Sequence, residues 1–311
     1  MRPPFALLAA LLLAAAPARA QVDAPSRVTL TWENDLLAGT DRHYTNGLRL
    51  DLVGRLDPQI LPSWLAGDEV EWGLALGQRI YTPERLDEPG LVADDRPYAG
   101  WSYLGLSVSR RVAALEWEDR LELTLGVVGP ASGARATHEL AHEVFGSDPP
   151  RGWRHQLHDE PGVTLAYRAS TGLLRGDAGS VGWDLAPGFG VSLGNVATFA
   201  SIGLGLRCGL GVPDDFGVLV SSGAPRLLRI YLTAAIEARL VGYDIFLDGN
   251  LLRNGGHRVH KECLVADLSL GLVVAVHGRL SLTYTHTLQT SQFDAQVGAD
   301  QFGSISVAVS W

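Results

Sequence analysis

The sequence predicts an all-β fold: a twelve-stranded antiparallel transmembrane β-barrel with a short helix in an extracellular loop. Three observations predict it. Apolar and polar residues alternate with period two along most of the chain. Beyond the first twenty residues no apolar run reaches the roughly 18 to 20 residues that a spanning helix needs. The 36 glycines, 8 Trp and 8 Tyr suit strands and turns better than helices.

The first twenty residues have their own pattern. Arg2 starts a short positive region, Phe5 to Ala16 is apolar, and Ala18-Arg19-Ala20 supplies small residues for cleavage, which together read as a secretory signal peptide. Residues 21–311 then form one domain, with no repeats, linkers or low-complexity tracts. Leaving Arg2 and Arg19 out of the 25 basic residues gives 23 against 34 acidic ones, a net charge of −11 that speaks against non-specific nucleic-acid binding. Lys261 is the only lysine.

The strands follow in order. Val28/Leu30/Trp32, Leu48/Leu50/Leu52, Val70/Trp72/Leu74/Leu76, Leu104/Leu106/Val108, Leu121/Leu123/Leu125/Val127 and Val163/Leu165/Tyr167 mark the first six. Val181/Trp183/Leu185, Ile202/Leu204/Leu206, Leu228/Ile230/Leu232, Leu264 through Val274, Leu280/Leu282/Tyr284 and Ile305/Val307/Val309/Trp311 mark the rest. The number is even, and each is near the roughly 9 to 11 residues that cross an outer membrane when tilted. Arg229, Glu237, Arg239, Asp267, Ser281, Thr283 and Thr285 fall on the opposite faces, where a barrel interior accommodates them. The same alternation would suit a soluble barrel with its apolar face inward; the closing Trp311, similar to the terminal aromatic of outer-membrane barrels, favours the membrane. Cys208 is in phase with its apolar neighbours and Cys263 is not, so the two sulfurs are expected to face opposite ways.

With both termini periplasmic, the external connections are residues 37–42, 81–98, 129–161, 194–198, 241–260 and 290–300. The longest, 129–161, holds a helix-like run from Ala136 to Phe145, and long external loops commonly carry function.

Two constellations could carry chemistry. Asn34 and Asp35 end the first strand at its outer edge and Thr45 opens the second from the same edge, so the three share a rim. Strand phase puts Asn34 on the Leu30/Trp32 face and Asp35 and Thr45 on the inner face, unless a bulge intervenes; such residues also serve simply to satisfy turn backbone. In the loop, His138-Glu139-Leu140-Ala141-His142 spells H-E-x-x-H, with both imidazoles one helical turn apart. A zinc site would need a third ligand, for which His155, His158, Asp148 and Glu160 are candidates, and the metzincin extension is absent because Gly146 comes four residues after His142.

Asn34-Asp35, the Asp41 to Leu48 segment, Gln78 with Tyr81-Thr82-Pro83, Asp95-Arg96-Pro97-Tyr98-Ala99-Gly100-Trp101, Gly129-Pro130 leading to His142, Gly152-Trp153 and Phe246-Leu247-Asp248-Gly249-Asn250 together resemble the outer-membrane lipid A 3'-O-deacylase family. The likeness covers nearly the whole chain after the signal. It implies a twelve-stranded barrel whose active site lies between the wall and a helix of an external loop, and hydrolysis of an acyl ester of lipid A with Ca2+. By position, His142 resembles the family's catalytic histidine, and Asn34, Asp35 and Thr45 its essential polar residues. Asp35, Asn34 and Asp148 are the implied metal ligands. His138 stands where the family is expected to have glutamine, which creates the H-E-x-x-H string and keeps Zn2+ open as the alternative metal. Between Tyr81 and Val92 the only basic residue is Arg85, so no counterpart of a family lysine is present. The implied setting is the bacterial outer membrane, reached through the cleaved signal, with lipopolysaccharide of the outer leaflet as substrate and a monomeric enzyme. A zinc hydrolase using His138, Glu139 and His142 and a non-catalytic barrel remain the alternatives.

Overall fold

In the computed structural model, residues 23–40, 42–62, 67–216 and 227–311 are described; the expected signal peptide, residues 1–20, and Asp41 lie outside them. The described residues form strands β1 (Arg27–Asn34), β2 (His43–Arg55), β3 (Glu69–Thr82), β4 (Ala99–Val112), β5 (Trp117–Val128), β6 (Glu160–Thr171), β7 (Leu174–Ala178), β8 (Val181–Gly194), β9 (Ala197–Leu210), β10 (Leu228–Asp244), β11 (Leu264–Val276), β12 (Leu280–Gln289) and β13 (Asp300–Ser310). Each pairs antiparallel with its neighbours, β1 pairs with β13, and β6 pairs with β8, which closes a twelve-stranded barrel. The extra strand, β7, was not expected. Its five residues pair only with the first part of β8, Leu174 opposite Leu185 and Ala178 opposite Val181, and are too few to show alternation.

The faces point as alternation requires. Leu30, Leu48, Leu76, Leu104, Ile202 and Leu232 are exposed on the outside, where a membrane supplies their apolar surroundings. Inside, charges are neutralised in pairs: Arg49 bonds Asp51 and Glu122, Arg207 bonds Asp184, and Arg239 bonds Asp267. These side chains leave an interior cavity of about 430 Å³ lined by Arg49, Arg79, Arg120 and Glu122 among others. Among the described residues no helix is long and apolar enough to cross a membrane.

The apolar core lies at the extracellular end, where loops fold inward. Trp101, Tyr103 and Val128 pack there with Leu157, Val196, Ile245 and Phe246. The 129–161 loop carries helix α1 (Ala134–Phe145), two residues longer at its start than expected, and the 245–260 region opens with a single turn, α2 (Ile245–Asp248). Both cysteines are free and exposed, Cys208 near the periplasmic end of β9 and Cys263 just before the extracellular end of β11.

Candidate active site

Helix α1 lies against the outside of the barrel wall, and the strand faces explain how. Gln78 continues the outward Leu74/Leu76 row of β3, and Ser102 and Gly100 continue the outward Leu104/Leu106 row of β4. Gln78 Nε2 and Ser102 Oγ both donate to the Ser132 carbonyl just before α1, at 2.8 and 2.7 Å. A Cβ on Gly100 would come within 2.0 Å of Ala134 Cβ, so only glycine lets the helix approach this closely. Gly146, at φ +72°, ends α1 in the left-handed conformation that glycine adopts without steric cost.

Between α1 and strands β1 to β3 opens a cleft of about 180 Å³, lined by Asn34, Asp35, Thr45, His138, His142 and Phe145, with Trp32 and Ile80 behind them. The structure thus brings together four of the expected site residues. It also overturns the simple alternation that put Asp35 and Thr45 inside. The β2–β3 register shifts between Tyr44 and Asn46, leaving Thr45 as a bulge without a cross-strand partner. Tyr44 turns inward to donate to Glu33, and Thr45 shares a hydrogen bond with Thr82 at 2.6 Å. Asp35 leaves the strand altogether, opening a 3₁₀ turn over Asp35–Ala38 that Asn34 caps through its side-chain oxygen on the Leu36 N–H.

The two imidazoles form one ordered chain. The Trp153 indole N–H can only donate, and it points at His138 Nδ1, 3.2 Å away. Neutral His138 must then carry its hydrogen on Nε2, which lies 2.9 Å from His142 Nε2 and donates to it. His142 in turn carries its hydrogen on Nδ1 and donates to the Asp148 carbonyl at 2.6 Å. Burial, and then the charge of neighbouring His142, push His138 down to about 3.

This arrangement does not fit zinc. His138 has no lone pair left on Nε2, and Glu139 pairs with Arg135 on the exposed side of α1, away from the cleft. Glu160, a candidate third ligand, is buried elsewhere, accepting from Asn195, Asn250 and the Leu252 N–H. Among the described residues no group of three or more His, Cys, Asp or Glu converges on a metal position. Asp148 is exposed and meets the site through its carbonyl, not through a carboxylate lining the cleft. The residues with oxygen-bearing side chains that do line it, Asp35, Asn34 and Thr45, would suit a hard cation such as calcium.

Sequence reasoning gave no role to several supporting residues. Gln78 and Ser102 were detectable as polar breaks in outward apolar rows. His43 was not: it is buried at φ +64°, with Nδ1 2.7 Å from Asp300 and Nε2 3.3 Å from Asp95, and so ties the starts of β2 and β13 to the 81–98 loop. Its neighbour Arg42 donates its backbone N–H to Asp35 Oδ2 at 2.7 Å, which holds that carboxylate in the rim. Arg85 pairs with Asp94 on the surface.

A family model described as outer membrane protein LpxR matches residues 7–311. Among solved structures, LpxR from Salmonella typhimurium is similar with a TM-score of 0.78 at 19% identity, covering 92% of this chain and 100% of that one. The beta domain of the Bordetella autotransporter BrkA gives a TM-score of 0.47 at 11% identity, covering 93% of this chain and 100% of its own. A search of the curated proteins gives no match.

Proposed function

Because the chain belongs to the outer-membrane LpxR family, we propose that it is a lipid A 3'-O-deacylase, an ester hydrolase that removes the 3'-linked acyl or acyloxyacyl chain from lipid A. One observation carries this reading. The cleft holding His142, Asn34, Asp35 and Thr45 lies outside the wall, between α1 and the upper ends of β1 to β3, on the same face that carries the lipid-directed leucines. A lipid in the outer leaflet reaches it without leaving the membrane, whereas a soluble substrate would gain nothing from this placement.

The hydrogen-bond chain supports one chemistry. Once water displaces the His138 N–H from its lone pair, His142 Nε2 accepts a proton from that water as the water oxygen bonds to the acyl carbonyl carbon, and the Asp148 carbonyl steadies the imidazolium through Nδ1–H. Collapse of the tetrahedral adduct breaks the ester C–O bond, and the leaving sugar oxygen takes the proton back from His142. No serine nucleophile is needed. Calcium, held by Asp35 with Asn34 and Thr45, would supply positive charge to the developing oxyanion. The reading includes a monomeric enzyme, exported by the signal peptide over residues 1–20.

Mass spectrometry of lipid A incubated in detergent with the refolded protein tests the proposal. The 3'-linked acyl mass should be lost with calcium and retained with chelator, and His142→Ala should slow the loss by about 10² to 10⁴. Intact lipid A beside a well-folded wild-type barrel would overturn it.

A further inference from the structure

The role of His138 goes beyond the expectation that it merely replaces another polar residue. His138 is 2% exposed, yet it lines the cleft, and its Nε2 lies 2.9 Å from His142 Nε2. What lies behind it decides its chemistry. Trp153, itself 1% exposed and packed against Tyr98, presents an N–H that no rotation turns into an acceptor. A second hydrogen on His138 would sit on Nδ1 and face that N–H directly. The side chain is therefore confined to one form: neutral, with a single N–H aimed into the cleft.

The geometry points to His138 as a neutral N–H donor of the hydrolytic reaction, locked in its Nε2–H form by Trp153 and shared between His142 and the developing oxyanion. This rests on the deacylase reading. Before reaction, the N–H lies on the lone pair of His142 Nε2 and keeps that ring turned into the cleft. When water occupies that position and yields its proton, His142 Nε2 becomes a donor and can no longer accept from His138. The freed N–H then meets the negative charge that the carbonyl oxygen gains as the water oxygen bonds to carbon. Electrons flow from water to carbonyl oxygen, the water proton rests on His142, and His138 keeps its own hydrogen throughout. A fixed donor aimed at developing charge acts mainly on the transition state, so its loss falls on kcat and not on KM.

The test uses full-length refolded protein. His138→Leu removes the donor, His138→Gln restores an N–H from an amide, and Trp153→Phe removes the lock while keeping an aromatic ring. With lipid A in detergent and calcium, His138→Leu should lower kcat by about 10² to 10³ with KM little changed, and His138→Gln should recover to within about tenfold of wild type. Nitrogen NMR of histidine-labelled protein reads the tautomer independently of activity. His138 should carry hydrogen on Nε2 alone in wild type and show both tautomers in Trp153→Phe. An active His138→Leu variant with wild-type kcat, or a wild-type His138 carrying hydrogen on Nδ1, overturns the donor role while leaving the deacylase reading intact. An inactive but folded wild type overturns the deacylase reading, and the donor role with it.

Discussion

At the scale of single residues, the candidate site depends on side chains whose hydrogens have one allowed arrangement. Trp153 sets His138, His138 sets His142, and the Asp148 carbonyl takes the last hydrogen. The arrangement has a consequence in acid. An unfolded loop would bind a proton at His138 near pH 6.5, but the packed loop binds it only near 3, so the packed state holds fewer protons between those values. Its stability relative to the opened loop therefore falls as pH drops through that window. Trp153 emission, obtained as the difference between wild type and Trp153→Phe, should shift to the red on acidification from pH 6.5 toward 3. His138→Gln, which has no proton to take up there, should remain unshifted. An unshifted wild type would contradict this account.

At the scale of elements, α1 is held by a few contacts on the outer wall, and the site is only as precise as that docking. Gln78 and Ser102 secure the Ser132 carbonyl, and Gly100 leaves room for Ala134. Gly100→Val would drive the start of α1 away from β4 by the thickness of the added side chain. Displacements of about 1 Å at a reacting group can cost on the order of 10² in rate. Gly100→Val should therefore lose about that much lipid A deacylation while still migrating as a folded barrel in unheated gel electrophoresis. Loss of the folded band would place Gly100 in barrel assembly instead. The Thr45 bulge acts at the same scale, because shifting β2 against β3 is what turns Thr45 outward.

At the scale of the whole molecule, the protein is an inverted globule, with leucines outside and paired charges within. Arg49 between Asp51 and Glu122, and Arg207 between Asp184 and Asp215, show why the interior tolerates charge: each guanidinium meets its carboxylates directly. The outside has no such compensation. Leu76, 61% exposed near the middle of β3, should cost about 2 to 4 kcal/mol of stability in lipid vesicles when changed to arginine, measured by denaturant unfolding. The same outward position facing water would lose almost nothing, so this measurement tests whether lipid surrounds the exposed leucines.

The sequence by itself determined the twelve barrel strands, their outward and inward faces, the external loop with its helix, and the identity of His142, Asn34, Asp35 and Thr45 as candidates. These are legible because period-two alternation and motif order are local, and every spanning strand answers to the same lipid boundary. The tertiary structure decided the rest. Alternation alone put Thr45 inside, because a bulge depends on whether the partner strand supplies a matching residue, which β2 cannot show without β3. The H-E-x-x-H string read equally well as zinc ligands until Trp153, fifteen residues after His138, took the Nδ1 lone pair. His43 joins the start of β2 to Asp95 of the 81–98 loop and to Asp300 at the start of β13, and β7 is held by pairing with β8 alone. Each of these turns on a hydrogen bond or packing contact between segments that only the folded chain brings together.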